Sequence, residues 1–130
     1  KRFIGKVQLR GNPNDKKFVK AVEDVIGTNL PTDACTFSVG KSYSACWMGP
    51  DEWLILSAED GQIALQAGLE KALSKVHSSV VDVTDYYVAM RLSGKKARDV
   101  LTKGTPPPSK IINDKVGCFM RVTNGYISFF

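Results

Sequence analysis

The sequence predicts an α+β fold, a ferredoxin-like β-α-β-β-α-β unit followed by a partial second β-α-β-β unit. Three observations carry this. Apolar residues switch between a period of two and a period of about 3.6, in the order strand, helix, two strands, helix, strand. The segment Ser44–Ser57 holds two apolar runs joined by Gly49-Pro50-Asp51-Glu52, as in a hairpin. The pattern then restarts with a strand, a helix and two strands, and stops short of a final helix and strand. The predicted division is a ferredoxin-like subdomain over residues 1–85 and a second α+β subdomain over residues 86–130 that shares its core. An unfinished sheet leaves an edge that calls for a partner.

Each element has its own signal. Phe3, Gly5, Val7 and Leu9 alternate with Ile4, Lys6, Gln8 and Arg10, as in a strand. Gly11-Asn12-Pro13-Asn14 breaks it, and Asn14 or Asp15 is placed to cap a helix. Phe18, Val22, Val25 and Ile26 share one helical face, and Gly27 ends the element. Thr28–Ala34 is a loop, Thr36–Val39 a short strand, and Gly40-Lys41-Ser42 a turn. In the hairpin, Gly49 is expected to supply special backbone angles and Pro50 a fixed φ, and the turn sets Trp47 and Trp53 side by side. Asp60-Gly61 opens a second helix whose buried stripe is Leu65, Leu69, Ala72, Leu73 and Val76. Val80–Val83 is a strand that turns at Thr84-Asp85, and a second strand follows with Val88, Met90 and Leu92 on one face. Ser93 is placed to cap a helix carrying Ala97, Val100 and Leu101, ended by Gly104. After Pro106-Pro107-Pro108, a strand over Cys118–Val122 returns through Asn124-Gly125 into Tyr126–Phe130.

The totals exclude several function classes. With 43% hydrophobic and 24% charged residues over 130 positions, the chain has the balance of a soluble globular protein. No apolar run approaches the roughly 20 residues of a membrane span. The chain starts at Lys1 and stops at Phe129-Phe130 within a predicted strand, so both ends are expected to be trimmed. The net charge of +5 comes from scattered lysines without interleaved aromatics, which argues against nucleic acid. Cys35, Cys46 and Cys118 are odd in number and form no C-x-x-C pair, so no disulfide framework and a reducing, cytoplasmic setting are expected.

The candidate chemical groups are few. Asp51 and Glu52 are adjacent on an exposed turn, where nothing separates their pKa values for acid–base work. His77 is the only histidine, with no triad or metal partner at a readable spacing. Asp82 and Asp85 are the best carboxylates, although Asp85 has a ready task in bonding turn amides. Arg91 faces solvent or a partner. No catalytic, cofactor-binding or metal residue is assigned, and no phosphate loop or dinucleotide fingerprint is present.

Four stretches carry a resemblance. Trp47-Met48-Gly49-Pro50-Asp51-Glu52-Trp53-Leu54 is the most specific. Asp82-Val83-Thr84-Asp85, then Arg91-Leu92-Ser93-Gly94 with Ala97-Arg98-Asp99-Val100-Leu101 and Lys103-Gly104, is the second. Arg10-Gly11 with Asp15, Phe18, Ala21-Val22 and Gly27 is the third, and Leu30-Pro31 the fourth. Together they resemble the gamma subunit family of heterotetrameric sarcosine oxidase, and more distantly the glycine-cleavage aminomethyltransferase superfamily, whose architecture the fold is similar to. In those distant relatives similar turns line a folate-sized hole and an aspartate orients substrate, but the match identifies neither Asp82 nor Asp85 with it. Where the gamma family has a cysteine-proline pair, this chain has Thr105-Pro106.

The resemblance implies a non-catalytic gamma subunit in a complex that oxidatively demethylates sarcosine and passes the methyl carbon to tetrahydrofolate. FAD, FMN, NAD and tetrahydrofolate are then expected in the alpha, beta and delta subunits and none in this chain, which packs chiefly on alpha. The alternative from another class is a stand-alone folate-binding or one-carbon-transfer domain. An RNA-associated ferredoxin-like module is a third, supported only by charge. The sequence leaves open which methylated amine is oxidised, the stoichiometry, and whether the chain is an obligate subunit or a diverged paralogue.

Overall fold

The computed structural model describes residues 4–87, 94–96 and 99, together with the strands over 120–123 and 126–129. The strand predicted over 86–92, the helix from Ser93 to Gly104, the proline stretch and the Asn124-Gly125 turn lie largely or wholly outside the described residues. In chain order the elements are β1 (Gly5–Gly11), α1 (Lys16–Ile26), β2 (Phe37–Val39), β3 (Tyr43–Gly49), β4 (Glu52–Ser57), α2 (Gly61–Ala72), β5 (Ser78–Asp82), β6 (Met120–Thr123) and β7 (Tyr126–Phe129). Five strands form one sheet in the order β2-β3-β4-β1-β5, with every neighbour antiparallel. Thus β1 and β3 run parallel on either side of β4, the split arrangement of a ferredoxin-like unit, with β2 added at one edge. β6 and β7 pair with each other as a separate two-stranded sheet.

Local sequence explains the helices. The Asp15 carboxylate accepts from the Lys17 amide at 2.9 Å and caps α1. Phe18, Val22 and Ile26, four residues apart, are all buried. At the other end Gly27 takes φ 68°, and its N–H closes on the Glu23 carbonyl at 2.9 Å. In α2 the inward stripe is Leu65 and Leu69, continued by Leu73 just beyond the helix. Ala72 was expected in that stripe but is exposed. It lies at the margin of the stripe, whose centre is held by Leu65, Leu69 and Leu73, each four residues from the last.

Both helices pack on one face of the sheet. Val7 and Leu9 of β1, Ala45 of β3, and Trp53 and Ile55 of β4 meet Phe18, Val22, Ile26, Leu65 and Leu69 in the main core. The Phe18 and Trp53 rings lie 5.7 Å apart at 39°. Gly11 makes this possible, because a Cβ there would lie 2.2 Å from the Phe18 ring. Gly11→Ala therefore forces the ring to move, an overpacking that costs about 1–3 kcal/mol. Leu69→Ala empties a fully buried site and lowers the unfolding free energy by about 2–5 kcal/mol. Urea denaturation followed by tryptophan fluorescence measures both.

Candidate functional site

The most sequence-specific stretch, Trp47–Leu54, forms the end of the β3–β4 hairpin. Trp47 pairs with Trp53 and Gly49 with Glu52, so the turn is only Pro50-Asp51, and Met48 is an extra, bulged residue. Gly49 has no positive φ, contrary to expectation, because it still belongs to the strand ladder. The two tryptophans are side by side, as predicted.

Every polar group of this stretch that the sequence singled out is tied to the same domain. The Trp53 indole N–H donates to the Pro31 carbonyl at 2.6 Å, which draws the 28–36 loop onto the core. Glu52 accepts from the Gln8 side-chain amide on the neighbouring strand. Asp51 receives the Arg10 guanidinium at 3.4 Å, and its carbonyl accepts from the Gly11 amide at 3.0 Å. The Arg10 and Asp51 side chains are 54% and 60% exposed, so their ion pair contributes little in water. Beside them opens a cleft of about 490 Å³ lined by Arg10, Asn12, Pro13, Asp51, His77 and Ser78. His77 is exposed in the helix–strand connection, as the sequence implied. A cleft of about 540 Å³ at the opposite end of the sheet has Lys41, Tyr43, Leu56 and Glu59 among its walls. Among the described residues no cluster of histidine, cysteine and carboxylate groups could hold a metal.

The sheet face away from the helices holds the residues that sequence reasoning missed. One row crosses all five strands there, Phe37–Cys46–Leu54–Gln8–Val81. Cys46, Leu54 and Val83 form a second small core, against which Met48, Leu56 and Tyr87 pack. Lys6 lies on this face and is only 4% exposed. Its ammonium donates to the Ile4 and Thr84 carbonyls at 2.8 and 3.1 Å, which compensates for its burial. The Thr84 hydroxyl accepts from the Lys6 amide at 3.0 Å, and the Val83 amide donates to the Lys6 carbonyl at 2.9 Å. An alternating strand position marks a face, not its cover, so nothing in the sequence announces that Lys6 is buried.

The carboxylates divide differently from expectation. Asp82, not Asp85, serves the turn, accepting from the Thr84 amide at 2.9 Å. Asp85 is exposed. Arg91 lies outside the described residues. Cys46 is buried as the sequence implied, and burial pushes its thiol up to about 12. It therefore stays protonated at neutral pH and is a poor nucleophile.

A family model described as "Sarcosine oxidase, gamma subunit family" matches residues 10–123. Among solved structures, one match is to "Heterotetrameric Sarcosine Oxidase from Corynebacterium sp. U-96 in complex with pyrrole 2-carboxylate", with a TM-score of 0.57 and 26% sequence identity. That match covers 65% of this chain and 42% of the other, so the chain spans less than half the length of its structural relative. No curated protein sequence matches.

Two outcomes follow from the far face. Thr84→Val leaves the Lys6 amide without its acceptor and lowers stability by about 1–3 kcal/mol, read from urea midpoints. The raised pKa of Cys46 means that the folded chain holds this proton more tightly than the unfolded chain, whose thiol titrates near 9.0. Its contribution to stability is complete below that pH and is lost as pH rises toward about 12. At pH 8, iodoacetamide mapped by peptide mass spectrometry is expected to label Cys35 well before Cys46, and both at equal rates in urea.

Proposed function

From the premise that this chain belongs to the sarcosine oxidase gamma subunit family, we propose that it works as the non-catalytic gamma subunit of a sarcosine-oxidising complex. The family match over residues 10–123 is the observation that carries this reading. In it the alpha, beta and delta subunits bind FAD, FMN, NAD and tetrahydrofolate. They demethylate sarcosine oxidatively and hand the methyl carbon to the folate. The gamma chain packs chiefly on alpha, in the cytoplasm, and supplies structure.

The residues themselves support a structural task. Asp51, Glu52, Asp82 and the Trp53 indole, the polar groups that first invite a chemical role, are engaged within the domain. The buried thiol is held protonated. A gamma subunit needs stable surfaces more than reactive groups, and a domain whose polar groups tie its own loops provides them. Among the described residues no helix is long and apolar enough to cross a membrane.

Affinity capture of the full-length chain from its native lysate is expected to yield larger chains, flavin absorbance and sarcosine-dependent reduction of that flavin. A colourless monomer whose calorimetric titration with tetrahydrofolate gives specific heat would replace the subunit reading by a folate-binding domain. A colourless monomer without such heat would overturn both.

A further inference from the structure

We propose that the cleft beside the β2–β3 turn, residues 40–44, binds an oxyanion, the carboxylate or phosphate group of a small ligand. Such a site is independent of the chain's role as a subunit and adds a ligand to a domain otherwise tied to itself.

The first observation is a concentration of donors. The Gly40 amide donates to the Tyr43 carbonyl at 2.8 Å and closes the turn, which leaves Lys41 and Ser42 as its two central residues. Among the described residues their amides donate to no backbone carbonyl, and the Lys41 ammonium forms no ion pair. Lys41 and the hydroxyl-bearing Ser42, Tyr43 and Ser44 all border one cleft of about 540 Å³. A cation beside unspent turn amides and hydroxyls suits an oxyanion, which accepts several bonds at once and offers none.

The second observation is the charge behind the wall. Lys6 pairs across the sheet with Leu56, which lines the cleft. Its ammonium donates to the carbonyl of Ile4, another residue of the wall, at 2.8 Å. Lys6 is 4% exposed, and among the described residues no carboxylate forms an ion pair with it. The carbonyls that accept its protons satisfy its donors but leave its charge in place. Buried charge is screened less than charge in water, so it adds to the potential in the cleft. Against Lys41 and Lys6 stands one acidic residue of the lining, Glu59, which makes no ion pair with either. Two cations to one carboxylate favour an anion over an ammonium.

The third observation is that the turn is held in place. A Cβ on Gly40 would lie 3.1 Å from both the Ile26 and the Tyr43 carbonyl oxygens, so the turn sits close against the end of α1. The Tyr43 side chain is packed on the main core. Donors fixed in advance lose little freedom when a ligand arrives. The space exceeds what an inorganic ion needs, and the apolar Leu56 and Ile4 offer a surface for the carbon body of a ligand.

Amide NMR of the full-length chain tests the site, with inorganic phosphate and acetate titrated separately and sodium chloride used to keep the ionic strength constant. The Lys41, Ser42 and Ser44 amides are expected to shift to saturation with at least one of the two probes. Saturation by phosphate alone assigns a phosphate group, and saturation by acetate alone assigns a carboxylate. Lys41→Gln is expected to weaken binding about fivefold, while Lys41→Arg keeps most of it. Glu59→Gln is expected to tighten binding about twofold, because it removes the opposing charge. All three positions are on the surface, and the retained amide spectrum shows that each variant folds. Shifts that never saturate with either probe would overturn the site. So would saturation that Lys41→Gln leaves unchanged. Weaker binding in Glu59→Gln would overturn the oxyanion, since the ligand would then be using that carboxylate as an acceptor.

Discussion

The structure depends on β4 being buried from both sides. Trp53-Leu54-Ile55-Leu56 is a continuous apolar run, and its residues point alternately to the helices and to the opposite face. Trp53 and Ile55 close the main core, whereas Leu54 closes the second cluster with Cys46 and Val83. An ordinary outer strand of such a sheet alternates apolar with polar. β4 does not, because β3 and β1 flank it and both of its faces are covered. Arranging helices on one face and a second apolar cluster on the other then fixes the places of β1, β3 and α2.

Polar chemistry is subordinate to that arrangement. Arg10, Gln8 and Lys6 leave β1 on the same face, and each is bonded to a neighbouring segment of the domain: Arg10 to Asp51, Gln8 to Glu52, and Lys6 to Thr84. These three ties join β1 to the hairpin on one side and to the turn after β5 on the other. They also account for why residue types that suggest catalysis occur here without converging on one point. The Trp53 indole does similar work on the helix side, where it fixes the loop before β2. That loop in turn holds β2 extended through Ser38. A chain of local bonds thus runs from the central strand to the edge of the sheet.

Much of this was legible in the sequence. The two helices, the start of α1 at Asn14 or Asp15 and its end at Gly27, and the hairpin beside the paired tryptophans follow from spacing and from local backbone chemistry, and the structure selects Asp15 as the cap. What could not be read is which faces are covered. Period two places Lys6, Gln8 and Arg10 together, yet one is buried, one half-buried and one exposed, because cover depends on the residues that follow β5 in the chain as well as on neighbours in the sheet. The role exchange between Asp82 and Asp85 is decided by a turn geometry that two aspartates three residues apart satisfy equally well on paper. The bulge at Met48 escaped notice because only Gly49 follows it before the turn, so no further strand residues register the shift in alternation. Ala72 failed because helical spacing sets it at the margin of the face that Leu65, Leu69 and Leu73 bury, and a pattern of apolar residues does not show where that margin falls.

The most direct measurement is steady-state sarcosine oxidation by the complex assembled with a chain in which Asp51→Asn, Glu52→Gln, His77→Ala and Asp85→Asn are combined. The asparagine and glutamine keep the oxygen acceptors that Arg10 and Gln8 use, so the domain retains its ties. A chain that contributes only structure leaves kcat and KM within about twofold of the wild type. A loss of kcat by a hundredfold or more, with assembly and flavin content intact, would place part of the chemistry in this chain and contradict a purely structural role.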